Sequence, residues 1–348
     1  MTGRVYLDWN ATAPLRMEAR AAMLAAMDAV GNPSSVHAEG RAAKAIVEKA
    51  RAQIATAFGA EGADIVFTSG ATEAAALALA GRDLAGAAVE HDAVMGWIKP
   101  TLAVSRSGAV TVDDPAKTTL QAANSETGVV QDLPAGLAVC DATQIWGKLP
   151  VAFNWMGCDM ALASAHKLGG PKGVGALIFR QGFDVAAQIR GGGQEMGRRS
   201  GTENVVGIAG FGAAAAAAAR DLEEGLAARQ EKLRNILESA IEAAGSGIIF
   251  LGHATKRLPN TSCFSVPGWK GETQVMQMDL AGIAISAGSA CSSGKAKPSR
   301  VVEAMGYGAD VAAGAIRVSL GADTTEEDIG RFVDAWSKSY AKRKARAA

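Results

Sequence analysis

The chain has 348 residues, enough for one large domain or two unequal ones around a sizeable core. Its 35 Lys and Arg are balanced by 35 Asp and Glu, so no global charge points to nucleic acid or to an anionic membrane. The four cysteines, Cys140, Cys158, Cys263 and Cys291, are widely spaced without a CxxC pair, which argues against structural zinc and a disulfide scaffold and favours a reducing cytoplasm.

The first residues show no signal-peptide pattern, because Arg4 is followed by Val-Tyr-Leu-Asp rather than an apolar run. Helical composition and spacing then predict helices over Glu18–Met27, Gly40–Phe58 and Thr72–Ala80. Short apolar runs bounded by Gly or polar residues predict central strands at Ile65–Thr68, Gly136–Asp141 and Gly175–Phe179. Alternating β and α units of this kind imply a three-layer α/β domain with a mostly parallel sheet. From Val205 to Ala244 the chain is rich in Ala, Leu, Glu, Arg, Lys and Gln, which predicts one long helix or two broken near Gly225. Its Ala213–Ala219 stretch is the nearest approach to an apolar span, and Arg220, Asp221, Glu223 and Glu224 cut it off. After Gly245 the texture changes to a smaller α+β unit with strands at Ile248–Phe250, Thr261–Val266 and Ile316–Leu320. A last helix is expected from the capping pattern Thr324-Thr325-Glu326-Glu327, and the basic Lys338–Arg346 stretch suits its C-terminal dipole.

Three segments carry candidate chemistry. Ser164-Ala165-His166-Lys167-Leu168-Gly169-Gly170-Pro171-Lys172-Gly173 places a lysine behind hydroxyl and imidazole donors and ahead of a glycine-rich turn. A lysine that joins an aldehyde cofactor needs such a setting, although most lysines in loops are only solvated. Thr68-Ser69-Gly70-Ala71-Thr72-Glu73 lies where a strand turns into a helix, an anion site or a plain N-cap. Asp141 ends a predicted strand at the edge where α/β folds bind ligands; it either caps the next helix or holds a pyridine nitrogen protonated.

Those motifs, with Leu7–Pro14, Gly31–His37, Val89-Glu90-His91, Gly191–Glu195, Arg199–Thr202 and Gly288-Ser289-Ala290-Cys291, occur in an order that resembles the cysteine desulfurases of the nitrogen-fixation and iron–sulfur-cluster type. These belong to the class V aminotransferase branch of pyridoxal 5'-phosphate enzymes, and the resemblance runs nearly end to end. It implies a fold type I transferase. Residues 15–245 would form a large cofactor-binding domain with a mostly parallel seven-stranded sheet. Residues 1–14 and 246–348 would form a small domain that carries the catalytic-cysteine loop.

The resemblance also implies roles. Lys167 would hold the cofactor through an imine, Asp141 would pair with the ring nitrogen, Gln144 with the ring oxygen, and His91 would stack on the ring. Ala71, Thr72, Ser164 and His166 would bind the phosphate, Thr202 would reach the phosphate of a neighbouring subunit in a homodimer, and Asn124 and Arg317 would hold the substrate carboxylate. Cys291 would take sulfur from L-cysteine as a persulfide, leaving L-alanine, and pass it to an iron–sulfur scaffold or other acceptor. Cys291 is also a candidate shared ligand of an iron–sulfur cluster; no other metal site is expected. Its small, polar surroundings suit a thiol that must enter a pocket, with Lys295 and Lys297 able to favour the thiolate, although the local sequence alone fits a bystander cysteine better. Service in housekeeping or in nitrogen fixation stays open.

Ser125 stands where a second amide is expected after Asn124, and the span from His91 to Asn124 is shorter than the family norm. The chain also ends soon after the predicted last helix, where an acceptor-docking extension is expected. A class V aminotransferase has no need of Cys291, whereas a selenocysteine lyase does, so the latter is separated less well by sequence. An idle scaffold relative would not need Lys167, Asp141, His91 and Cys291 together. The glycine-rich Gly191–Glu195 run opens no clear βαβ unit, which disfavours a nicotinamide site.

Overall fold

The structure, a computed structural model, describes residues 3–288 and 298–347. In chain order its strands are β1 (Val5–Tyr6), β2 (Asp64–Thr68), β3 (Ala85–Ala87), β4 (Lys99–Leu102), β5 (Thr119–Gln121), β6 (Leu137–Asp141), β7 (Cys158–Ser164), β8 (Gly175–Phe179), β9 (Ile249–Phe250), β10 (Thr261–Ser265), β11 (Ile283–Ala284), β12 (Ser286–Ala287) and β13 (Ala315–Ser319). The helices are α1 (Met17–Met27), α2 (Ala38–Ala57), α3 (Ala71–Leu79), α4 (Asp92–Met95), α5 (Val205–Glu223), α6 (Leu226–Ala243), α7 (Gly271–Leu280), α8 (Arg300–Ala304), α9 (Ala309–Gly314) and α10 (Glu326–Ala347).

The central sheet has the order β2-β8-β7-β6-β5, with β5, β6 and β7 mutually parallel and β8 antiparallel to both of its neighbours. The reversal follows from chain length: the link from Ser164 to Gly175 is too short for a crossover, so the chain returns as a hairpin. A parallel two-stranded ribbon, β3-β4, lies beyond β5 and touches it through a parallel bridge from Ala85 to Thr118. The expected single seven-stranded sheet is therefore a five-stranded mixed sheet with a ribbon alongside.

Side-chain alternation covers both faces of this sheet. Ile65, Phe67, Cys140, Ala161 and Ile178 join a core with α1, α2 and α5, while Val66, Val139, Met160, Leu162 and Leu177 pack with α3 on the other face. The alanine-rich α5 lies deep because its residues are small: a Cβ on Gly212 would meet the Ala50 backbone at 2.6 Å. By length and composition α5 could cross a membrane, yet here it is a core helix with Phe211, Ala214, Ala215, Ala217 and Ala218 buried. The helix break falls at Gly225, whose φ of 88° is left-handed backbone.

The second unit pairs β12-β13-β10-β9 in an antiparallel sheet. The first residues of the chain join it: β1 runs parallel to β11, and Asp8 bridges to Ser319. Its core stacks Trp336 on Tyr340 with ring centroids 5.0 Å apart and sets Phe264 edge-on to Trp336. The last helix is capped one residue later than the sequence pattern suggested. Thr325 Oγ1 accepts the Asp328 N–H, and an Asp328 carboxylate oxygen accepts the Thr325 N–H.

Candidate active site

A cavity of about 660 Å³ opens where the C-terminal ends of β5, β6 and β7 meet the start of α3 and the second unit. It is lined by Ala71, Thr72, His91, Asp141, Gln144, Ser164, His166, Lys167 and Arg317, which sequence singled out. Thr202 is exposed and lies outside the lining, and Cys291 lies outside the described residues.

One end of the cavity is shaped for an anion. Gly70, Ala71 and Thr72 begin α3 at its wall, and no side chain caps that helix, so first-turn N–H groups can serve a ligand. Close backbone contact holds this corner: a Cβ on Gly175 would lie 2.6 Å from the Gly70 Cα. The Glu73 carboxylate accepts the Ser69 N–H at 2.8 Å and pairs with Arg199 at 2.9 Å. His166 Nδ1 lies 3.2 Å from Thr12 Oγ1, and burial followed by Lys167, Lys172 and Lys148 depresses its pKa to about 4. Its imidazole is therefore neutral near pH 7. Lys172, part of the lysine motif but given no role from it, also lines the cavity.

Lys167 sits in the 3-10 turn that ends β7 and donates to the carbonyl oxygens of Asn10 at 2.8 Å and Ala11 at 2.9 Å. Asp141, at the end of β6, is buried, and its Oδ1 accepts the Thr143 N–H at 3.0 Å. His91 caps α4: its Nδ1 accepts the Ala93 N–H at 3.1 Å, so in the neutral ring the proton is on Nε2. Beneath it the Glu90 carboxyl is fully buried, and burial holds its pKa well above the usual glutamate range despite the Gln121 N–H it accepts. Gln144 donates from Nε2 to the Asn10 carbonyl at 3.0 Å.

The opposite end is built across the two units. Arg317 projects from β13, 3 % exposed, with one arm on the Ser125 carbonyl at 2.8 Å and another on Asp8 at 2.7 Å. Its buried Nε has no hydrogen-bond partner, the donor expected of a site for an incoming anion. Asn124 does not line the cavity. Its Oδ1 accepts the N–H groups of Glu126 and Thr127 and its Nδ2 donates to Val89, so it shapes the turn that presents Ser125 to the cavity.

Both described flanks of the segment that contains Cys291 rest on Glu126. Ser299 Oγ donates to the Glu126 carboxylate, and a Cβ on Gly288 would lie 3.3 Å from that carboxylate. Burial raises the Glu126 pKa to about 7. Arg300 then grips the loop that carries His91, donating to the Ala88 and Glu90 carbonyls and pairing with Asp92 at 2.7 Å. Cys140, Cys158 and Cys263 are buried. No cluster of three or more metal-binding side chains occurs among the described residues.

An amine, an anion corner and a buried carboxylate on one cavity fit pyridoxal phosphate. Sequence motifs found most of this constellation but not Asn10, whose contacts reach Thr261 and Ser319, far along the chain. The one local signal was its place within the Leu7–Pro14 run.

The aminotransferase class V family model matches residues 5–95 and 102–332. The break, residues 96–101, runs from the end of α4 through most of β4, within the short His91–Asn124 span. A cysteine desulfurase IscS of Dictyoglomus turgidum is 37 % identical over 370 residues, covering 96 % of this chain and 94 % of that protein. A cysteine desulfurase of Frankia sp. is 40 % identical over 377 residues, covering 95 % of this chain and 90 % of that protein. The X-ray structure of a NifS-like protein from Rickettsia africae superposes with a TM-score of 0.88 at 32 % identity, covering 97 % of this chain and 99 % of that one. The chain belongs to the class V aminotransferase family of pyridoxal phosphate enzymes and, within it, to the cysteine desulfurases.

Proposed function

We propose that the protein converts L-cysteine to L-alanine, with Cys291 taking the sulfur as a persulfide and handing it to an acceptor protein. The observation that carries this reading is the convergence of Lys167, Asp141 and the start of α3 on one cavity that also holds Arg317. Bound pyridoxal phosphate supplies a ring that stabilises negative charge at the substrate α-carbon.

The chain's own residues do the rest. The phosphate would be held by the Ala71 and Thr72 N–H groups with Ser164 and neutral His166, and the Asp141 carboxylate would keep the ring nitrogen protonated. Lys167 Nζ would remove the substrate α-proton. Arg317 would hold the substrate carboxylate, with Asn124 organising the neighbouring turn, and His91 would cover the ring. The Cys291 thiolate attacks the substrate sulfur, a sulfur–sulfur bond forms, the carbon–sulfur bond breaks, and the carbon skeleton leaves as alanine after protonation.

The working form we propose is a cytoplasmic homodimer. Met17 and Met27 at the two ends of α1, and Val30 and Val36 in the link to α2, are exposed by 60–88 %, apolar surface that suits a second copy. Exposed Thr202 would then complete the neighbouring phosphate site. The acceptor class is an iron–sulfur scaffold, for housekeeping or nitrogen fixation, with Cys291 able to share a cluster ligand during transfer. Incubating the purified, cofactor-loaded protein with L-cysteine and a thiol reductant tests the reading: alanine and sulfide should appear in equal amounts. Turnover of selenocysteine without turnover of cysteine would replace it with a lyase.

A further inference from the structure

Lys148 is a buried lysine under the cavity that the chemistry above does not use. It is 6 % exposed and follows Gln144 by four residues. Its Nζ donates to Asn10 Oδ1 at 2.8 Å and, in a short contact, to Gln144 Oε1. The Asn10 carbonyl only accepts, so the Gln144 atom that meets it must be Nε2, and the atom that meets Lys148 is the carbonyl oxygen. The ambiguity that attends most carboxamides is thereby removed, and Nε2 is left as the donor on the cavity side.

Asn10 completes the arrangement. Its Oδ1 accepts from Lys148 and from Asn260 at 3.1 Å, its Nδ2 donates to Thr261 Oγ1 at 2.8 Å, and its N–H donates to Ser319 Oγ at 3.0 Å. Its carbonyl then accepts both Gln144 Nε2 and Lys167 Nζ. Every polar atom of Asn10 is engaged, and it ties the amine of Lys167 to the second unit.

We propose that Lys148 is a positioning residue: by holding Gln144 Oε1 and Asn10 Oδ1 it fixes Gln144 as a donor toward the cofactor's ring oxygen and fixes the acceptor for Lys167. The inference rests on the cofactor assignment above. Burial, then the charges of Lys167 and Arg317, push the Lys148 pKa well below the lysine range. A neutral amine still has the N–H groups for both acceptors. The charged or titratable groups that face it are Lys167 and His166 from the turn after β7 and Arg317 from β13, the last paired with Asp8.

A donor on the ring oxygen withdraws negative charge and disfavours protonation of the nearby lysine–cofactor linkage. Losing that donor must therefore raise the pH at which the visible absorbance of the bound cofactor titrates. The test compares cofactor-loaded wild type, Lys148→Met, Gln144→Leu and the double variant, with cofactor content and melting temperature measured in parallel. The Met variant should load cofactor and shift the titration midpoint up by about one pH unit, the effect of one hydrogen bond to a charged group. Gln144→Leu should shift it by a similar amount, and the double variant no further than either single one. A lowered melting temperature with an unmoved midpoint, or shifts that add in the double variant, overturns the proposal. If Lys148→Met does not fold, Gln144→Leu decides alone, because it leaves Lys148 in place; an unmoved midpoint there also overturns it. A wild-type protein that binds no pyridoxal phosphate overturns the cofactor assignment, and this inference with it.

Discussion

The two ends of the cavity are built by different means. At the anion end the backbone of β8 is pressed against Gly70, where even one added methyl group would meet main-chain atoms at 2.6 Å. At the substrate end Arg317 is held by side chain and carbonyl contacts from two units, through Asp8 and Ser125. Close-packed main chain cannot give, whereas polar contacts can exchange one partner for another. A rigid cofactor end beside a substrate end able to change partners is the expectation that follows.

Four substitutions probe that contrast and the loop beside it. The greatest loss is expected for Lys167→Ala, which removes the amine proposed to take the α-proton: turnover of L-cysteine should fall by about a hundredfold to ten-thousandfold. A rate assay under saturating cofactor checks it. Next comes Gly175→Ala. Its clash is with backbone, so it should cost about 3 kcal/mol of stability and weaken cofactor binding, read by denaturant melts and by absorbance. Arg317→Lys keeps the charge but loses the planar fork, and should raise KM for cysteine by about tenfold or more with a smaller change in kcat. If it instead abolishes cofactor binding, the two ends are not separable.

The mildest change in turnover is expected at Glu126, whose effect is on stability. Its pKa is about 7 in the fold against 4.5 ordinarily, so the folded state keeps its proton where the unfolded chain has lost it. That contribution is fully present below about pH 4.5 and is lost as pH rises through 7. Glu126→Gln removes the titration and keeps an acceptor for Ser299. The variant should therefore gain stability relative to wild type by about 2–3 kcal/mol between pH 5 and pH 8, measured by thermal melts across that range. A pH-independent difference would contradict the assignment.

The sequence made local structure legible where periodicity and punctuation agreed. The strands around Val66, Val139 and Leu177 and the break at Gly225 lie where apolar runs and glycine placed them. Lys167, Asp141 and Ser164 were legible because each sits at a strand end within a motif. What escaped has one physical cause, long-range contact. Asn10 is a node because Thr261 and Ser319 reach it, and no local pattern reports that. The reversed direction of β8 followed from link length, a signal present in the sequence, yet the link drew attention only for its chemistry. Lys148 also left a trace, four residues after Gln144, but burial alone distinguishes it from a solvated lysine. Asn124 and Ser125 show the reverse: the motif named the amide, and the fold turned it to hold its own loop while the serine faces the cavity.

Sulfur transfer through Cys291 is the step on which the proposed chemistry depends, and a single-turnover experiment decides it. Cofactor-loaded wild type and Cys291→Ala would each receive one equivalent of L-cysteine. Alanine would be quantified, and the intact protein weighed by mass spectrometry. One alanine and one added sulfur on Cys291 are expected in the wild type, and neither in the variant. Alanine formed at the wild-type rate by Cys291→Ala would contradict a role for this thiol in the reaction.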